Sequence, residues 1–140
     1  MEFTRRQSLQ LSLGALAAFS IPVKALASVP MVGSPEEFTG GVAVGSEGIV
    51  LDAPEIAENG NTVPLEVSAP GAVEIRVYAM GNPLPGVATF TFGPLAASQQ
   101  ASTRARLAGT QDVVAIAKMA DGSFVQASKN VKVTIGGCGG

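Results

Sequence analysis

Val73-Glu74-Ile75-Arg76-Val77-Tyr78-Ala79 changes character at every step, so a strand here sends Val73, Ile75, Val77 and Ala79 to one face and Glu74, Arg76 and Tyr78 to the other. The same alternation returns near the C-terminus, where Val131, Val133 and Ile135 oppose Lys132 and Thr134. Between them, Val113-Val114-Ala115-Ile116-Ala117 is apolar on both faces. That pattern belongs to a central strand covered on both sides, or to one whose second face is kept for a partner.

Working outward, runs rich in branched and apolar residues at 49–52, 63–68, 73–79, 87–92, 101–107, 113–119 and 124–135 read as strands. Asn59-Gly60, Pro70-Gly71, Gly81-Asn82-Pro83, Gly109-Thr110 and Asp121-Gly122 supply the turns between them. About seven short strands at this spacing predict an all-β fold, an immunoglobulin-like antiparallel β-sandwich. A short N-terminal helical turn is expected at Ser34-Pro35-Glu36-Glu37, where a serine cap, a first-turn proline and acids at the positive dipole end coincide, and Gly40-Gly41 stops it. With a single cysteine the sandwich has no intersheet disulfide, and its stability must come from packing.

The N-terminus reads as an export signal. Thr4-Arg5-Arg6-Gln7-Ser8-Leu9-Gln10 is a twin-arginine pattern, with Ser8 where a strong hydrophobe is usual. A mildly apolar stretch from Leu11 to Ile21 follows, too short to span a bilayer, and Ala25-Leu26-Ala27 is a small-residue cleavage site. The organisation expected is therefore a twin-arginine signal at 1–27, a leader with the short helix at 28–48, the sandwich at 49–135 and an arm at 136–140. The location expected is the periplasm. Cleavage removes Arg5, Arg6 and Lys24 but only Glu2 among the acids, which leaves the mature domain more acidic than the whole chain's net charge of −2. Such a domain suits neither nucleic acid nor an anionic membrane surface, and no membrane association is expected after export.

The arm, Gly136-Gly137-Cys138-Gly139-Gly140, holds the only cysteine. Four glycines, Gly136, Gly137, Gly139 and Gly140, give it wide backbone freedom and a slender profile, so it reads as a flexible tether that offers the thiol outward. Extended from Gly136, the sulfur would reach roughly 10 Å beyond the folded body. The α-carboxylate of Gly140 stands two residues away and disfavours the thiolate, which leaves the free thiol poorly activated.

The chain has no histidine, so no Cys-His dyad, no Ser-His-Asp triad and no ordinary zinc or haem site can be assembled. No cofactor, metal or catalytic group of its own is expected. The carboxylates are scattered, and Glu36-Glu37 and Glu55 with Glu58 read as solvated surface charges. Gly81-Asn82-Pro83-Leu84-Pro85-Gly86 reads first as a stiff turn and second as a docking element. Phe90 and Phe92 share a face that belongs either to the core or to a partner contact. Arg104 and Arg106 read as a solvated strand face, with an anion-binding patch as the alternative. What remains is a covalent handle. The alternatives are a secreted structural sandwich whose Cys138 forms an intermolecular disulfide, and a thiol redox enzyme, which would need a second cysteine or a histidine.

Three segments together, Val133-Thr134-Ile135-Gly136-Gly137-Cys138-Gly139-Gly140, Gly81-Asn82-Pro83-Leu84-Pro85-Gly86-Val87 and Pro54-Glu55-Ile56-Ala57-Glu58-Asn59-Gly60, resemble the SoxY family, the sulfur carriers of the bacterial thiosulfate-oxidising Sox system. The resemblance covers the chain from about Glu36 onward. It implies a carrier without enzymatic activity that holds S-thiosulfonate, persulfide and S-sulfate intermediates on Cys138. It also implies partners: a SoxZ-like subunit in a heterodimer, a c-type haem enzyme that couples thiosulfate to the cysteine, a hydrolase that releases sulfate, and in some systems a sulfane dehydrogenase.

Overall fold

The computed structural model describes residues 33–134. The expected signal at 1–27 and the arm with Gly136, Gly137, Cys138, Gly139 and Gly140 lie outside the described residues, as does Ile135.

The described chain is a β-sandwich with one short helix, α1, Pro35–Thr39. Its strands in order are β1 Val44–Gly45, β2 Val50–Asp52, β3 Ile56–Ala57, β4 Val63–Ser68, β5 Ala72–Ala79, β6 Gly86–Thr91, β7 Gln100–Ala105, β8 Gln111–Met119 and β9 Phe124–Val133. The larger sheet runs β1-β9-β8-β5-β6, with β3 also paired to β9, and the smaller runs β2-β4-β7. All seven expected strands form. The two additional ones, β1 and β3, are two residues long, too short to show a period. They pair parallel to opposite ends of β9, Val44 against Phe124 and Ile56 against Lys132. All other pairings are antiparallel.

Alternation places the main core between the sheets. Val63, Leu65 and Val67 of β4 meet Ile75 and Val77 of β5, Val113, Ala115 and Ala117 of β8, and Val131 of β9. Each of these buried branched side chains contributes on the order of 1.5–3 kcal/mol relative to exposure. Phe90 and Phe92 sit half-buried at the rim of this core.

Two positions in β5 depart from the simple alternation. A bulge between Ala72 and Glu74 turns Ala72 inward and leaves Val73 partly exposed. Tyr78 keeps the face that it shares with Glu74 and Arg76 but is fully buried there, on the outer face of the large sheet. It packs with Ile116 and Phe124 under Phe38 and Val44. This second cluster explains why β8 is apolar on both faces: it is central, and the N-terminal segment covers Ile116.

The cover is specified locally. Ser34 caps α1 through a capping box with Glu37, and Gly40 closes it in the left-handed region at φ 61°. Phe38 stands edge-on to Phe124 at 5.3 Å between ring centres, and the Arg76 guanidinium lies 4.1 Å from the centre of the Phe38 ring. Arg76 also pairs with Glu74 at 2.5 Å.

The Tyr78 hydroxyl is buried without a hydrogen-bond partner among the described residues. Burial pushes its pKa above the ordinary value despite the opposing pull of Arg76. The folded state thus holds this proton more tightly than the unfolded chain. Its stability contribution is full below the unfolded value near 10 and is lost as pH rises through the folded value. Tyr78→Phe is expected to raise stability at neutral pH by about 1 kcal/mol and to flatten the decline above pH 10. Urea unfolding at neutral and alkaline pH checks both.

Candidate functional site

The site can be built from the place where the expected arm leaves the sandwich. The end of β9 is held on both sides. On one side Lys132 N–H donates to the Glu55 carbonyl at 2.9 Å, and Thr134 N–H donates to the Ala57 carbonyl at 3.0 Å, so β3 and the residues before it guard this edge. On the other side β8 no longer pairs with β9 beyond Gln111 and Val131. There the Thr110 hydroxyl accepts from Val133 N–H at 3.0 Å and so extends the clamp by two residues. The last described residue, Thr134, therefore has a defined position and direction.

A second contact tightens this root. Gly60 is buried, and its carbonyl accepts from Leu107 N–H at 2.7 Å. A Cβ at Gly60 would lie 2.8 Å from the Leu107 carbonyl oxygen and 2.9 Å from Val133 Cγ1. Both distances are shorter than real contacts allow, so glycine is required by the close approach of three segments. Gly60→Ala is expected to cost about 1–3 kcal/mol through overpacking. It should also accelerate amide exchange at Val133 and Thr134, measurable by hydrogen–deuterium exchange.

The Gly81–Gly86 loop belongs to the same unit. Gly81 N–H donates to Gln111 Oε1 at 2.9 Å, and Gln111 Nε2 donates to Asn82 Oδ1 and to the Gly109 carbonyl, each at 3.0 Å. Asn82 in turn donates to the Arg106 carbonyl at 2.7 Å and accepts from Ala108 N–H at 2.9 Å. Gln111 is nearly buried, and these bonds satisfy its amide. The chain of bonds runs from the proline-rich loop through Asn82 and Gln111 to the 106–110 turn, and from Thr110 to the end of β9. The prolines stiffen the loop, and Asn82 ties it down.

Asn82 fell within the loop read second as a docking element and Gly60 and Thr110 within expected turns, but none of them, nor Gln111, was expected to hold the end of β9. A faint signal existed for Gln111, a lone amide just ahead of the apolar run at 113–117, and for Asn82 inside a Gly-Asn-Pro turn. Arg104 and Arg106 are both exposed but do not meet at one site. Arg106 lines a cleft of about 370 Å³ with Asn82, Pro83, Leu84 and Ala108. Arg104 lines a groove of about 580 Å³, which also holds Asp52 and Glu66, where β2 leaves the smaller sheet. Those carboxylates oppose anion binding there. Glu36, Glu37, Glu55 and Glu58 are solvent-accessible, and Glu37 serves the α1 cap. Among the described residues no three histidines, cysteines or acids converge to hold a metal ion. Among them, too, no helix is long and apolar enough to cross a membrane. The geometry is that of a rigid mount for the segment after Thr134.

Comparisons with known proteins agree on a family. The model of the family described as sulfur oxidation protein SoxY matches residues 36–138, a span that ends on Cys138. Among solved structures, the sulfur carrier protein SoxY from Chlorobium limicola f thiosulfatophilum is 36% identical, with 71% of this chain and 92% of that one covered and a TM-score of 0.62. A superoxide reductase (neelaredoxin) from Ignicoccus hospitalis is 19% identical, with 74% of this chain and 96% of that one covered and a TM-score of 0.56. At that identity the likeness is one of fold alone. A search of curated proteins finds no match.

Proposed function

Because the chain belongs to the SoxY family of sulfur oxidation proteins, we propose that it carries thiosulfate-derived sulfur covalently on Cys138 and presents it to partner enzymes in the periplasm. The observation that carries this reading is the family match running through to Cys138, the only sulfur nucleophile of the chain. The mount described above supports it: β9 is clamped to its last described residue, so the following segment starts from a fixed point. The twin-arginine pattern supports export in a folded state, and a SoxZ-like subunit would be exported with the chain as a heterodimer.

The chemistry must balance through the partners, since this chain has no histidine and no second thiol. A c-type haem enzyme withdraws two electrons as the Cys138 thiol loses its proton and its sulfur bonds to the outer sulfur of thiosulfate, giving an S-thiosulfonate. Water then attacks the terminal sulfone in a hydrolase, sulfate leaves, and a persulfide stays on Cys138. Where a sulfane dehydrogenase operates, it withdraws six electrons from the outer sulfur while three water molecules supply the oxygens and release their protons, giving an S-sulfate. A second hydrolysis releases sulfate and restores the thiol.

Intact-mass analysis of the protein isolated from cells oxidising thiosulfate tests the proposal. Mass additions of sulfane sulfur or thiosulfonate, confined to the C-terminal peptide, are the expected result. An unmodified cysteine together with a stable covalent dimer on non-reducing gels would instead favour the disulfide-linked structural sandwich.

A further inference from the structure

From Val77 to Thr103 the chain carries no charged residue, although charged residues make up 14% of the whole. This uncharged stretch forms the end of β5, all of β6, the connection after it and most of β7. β6 is the last strand of the larger sheet and β7 the last of the smaller. The β2 end of the smaller sheet lies over β9, which puts β7 on the β6 side. One flank of the sandwich thus presents two strand edges without charge until Arg104.

Among the described residues, no strand pairs with the outer edge of β6. Phe92 N–H donates to the Val73 carbonyl at 2.9 Å, and Phe90 and Ala88 pair with Ile75 and Val77 in the same register. In an antiparallel ladder the intervening residues, Thr89 and Thr91, point their N–H and C=O groups away from β5. No described residue pairs with them. Their side chains are exposed, while Val87, Phe90 and Phe92 close the core only in part. Leu84 and Leu95 flank the strand at 64% and 97% exposure. Sheets normally guard such an edge with a lysine, a proline within the strand or a covering segment. β1 and β3 cover the opposite edge at β9, but among the described residues β6 has none of these guards.

We propose that the β6 edge, with Leu84 and Leu95 at its ends, receives an uncharged extended strand of the second subunit of the carrier complex, which adds to the larger sheet. The proposal rests on the carrier reading for the existence of that subunit. A strand is required because the unmet groups are alternate backbone donors and acceptors at strand spacing. It must be uncharged at its centre, because the nearest charges, Glu74 and Arg76 opposite Thr91 and Thr89, pair with each other, so a charge brought against 77–103 would be desolvated without a partner. β6 stands three strands from β9 in the sheet, roughly 14 Å at ordinary strand spacing, so a subunit seated there leaves the end of β9 uncovered.

The test uses the mature chain co-expressed with its SoxZ-like subunit, with affinity measured by surface plasmon resonance. Thr89→Pro removes an outward N–H at an edge position that tolerates proline, and Thr91→Lys adds a guarding charge. Each is expected to weaken association at least about tenfold, with Val42→Lys as an unaffected surface control. Should Thr89→Pro fail to fold, judged by circular dichroism, Thr91→Lys decides. Wild-type affinity in the folded variants would overturn the proposal, as would a homodimer of the chain alone that Thr91→Lys dissolves. If the wild-type chain does not associate with that subunit at all, the carrier reading fails instead.

Discussion

Cys138→Ser is expected to abolish sulfur loading completely while leaving the sandwich intact. A serine hydroxyl cannot enter a sulfur–sulfur bond, and no other side chain in this sequence is a sulfur nucleophile. The expected spectrum after incubation with thiosulfate and the haem-containing coupling enzyme is a single unmodified mass, against additions on the wild type. Stability should not change by more than about 0.5 kcal/mol, the range of substitutions remote from packing and buried bonds. The bonds that hold the end of β9 among the described residues come from Glu55, Ala57 and Thr110. An adduct that persists on the serine variant would move the attachment point elsewhere and end the carrier assignment for Cys138.

The strands were readable wherever a period could develop, as in β4, where Val63, Leu65 and Val67 alternate with Pro64 and Glu66. The face of Tyr78 was readable, but its burial was not, for a tertiary reason. Alternation tells which residues share a face, but Tyr78 is covered because α1 folds back through Phe38, a contact between residues 40 positions apart in the chain. Val73 failed for a local reason, since a bulge shifts the phase by one residue and leaves no mark on composition. At the candidate site the cysteine motif was plain in one dimension. Its mount was not, because Thr110, Gln111, Asn82 and Gly60 meet only after three separate connections come together. A polar residue ahead of an apolar run does not announce which backbone group it will bind.

Gly137→Val is expected to separate the mount from the handle. The residue follows the clamp at Thr134, so folding, melting temperature and association with the second subunit should match the wild type. Turnover by the partner enzymes should fall, by an amount on the order of 100-fold if the branched side chain displaces the sulfur by about 1 Å in their active sites. The physical cause is twofold: valine narrows the accessible backbone conformations that glycine permits, and it adds width beside the sulfur that each enzyme must admit. Gly60→Ala provides the converse case, with lower stability and faster exchange at Val133 but an unaltered sequence around Cys138. Steady-state kinetics of sulfate release with each variant distinguishes the two. A Gly137→Val protein that turns over like the wild type would mean the partners do not discriminate by width, and the glycines would then need another explanation.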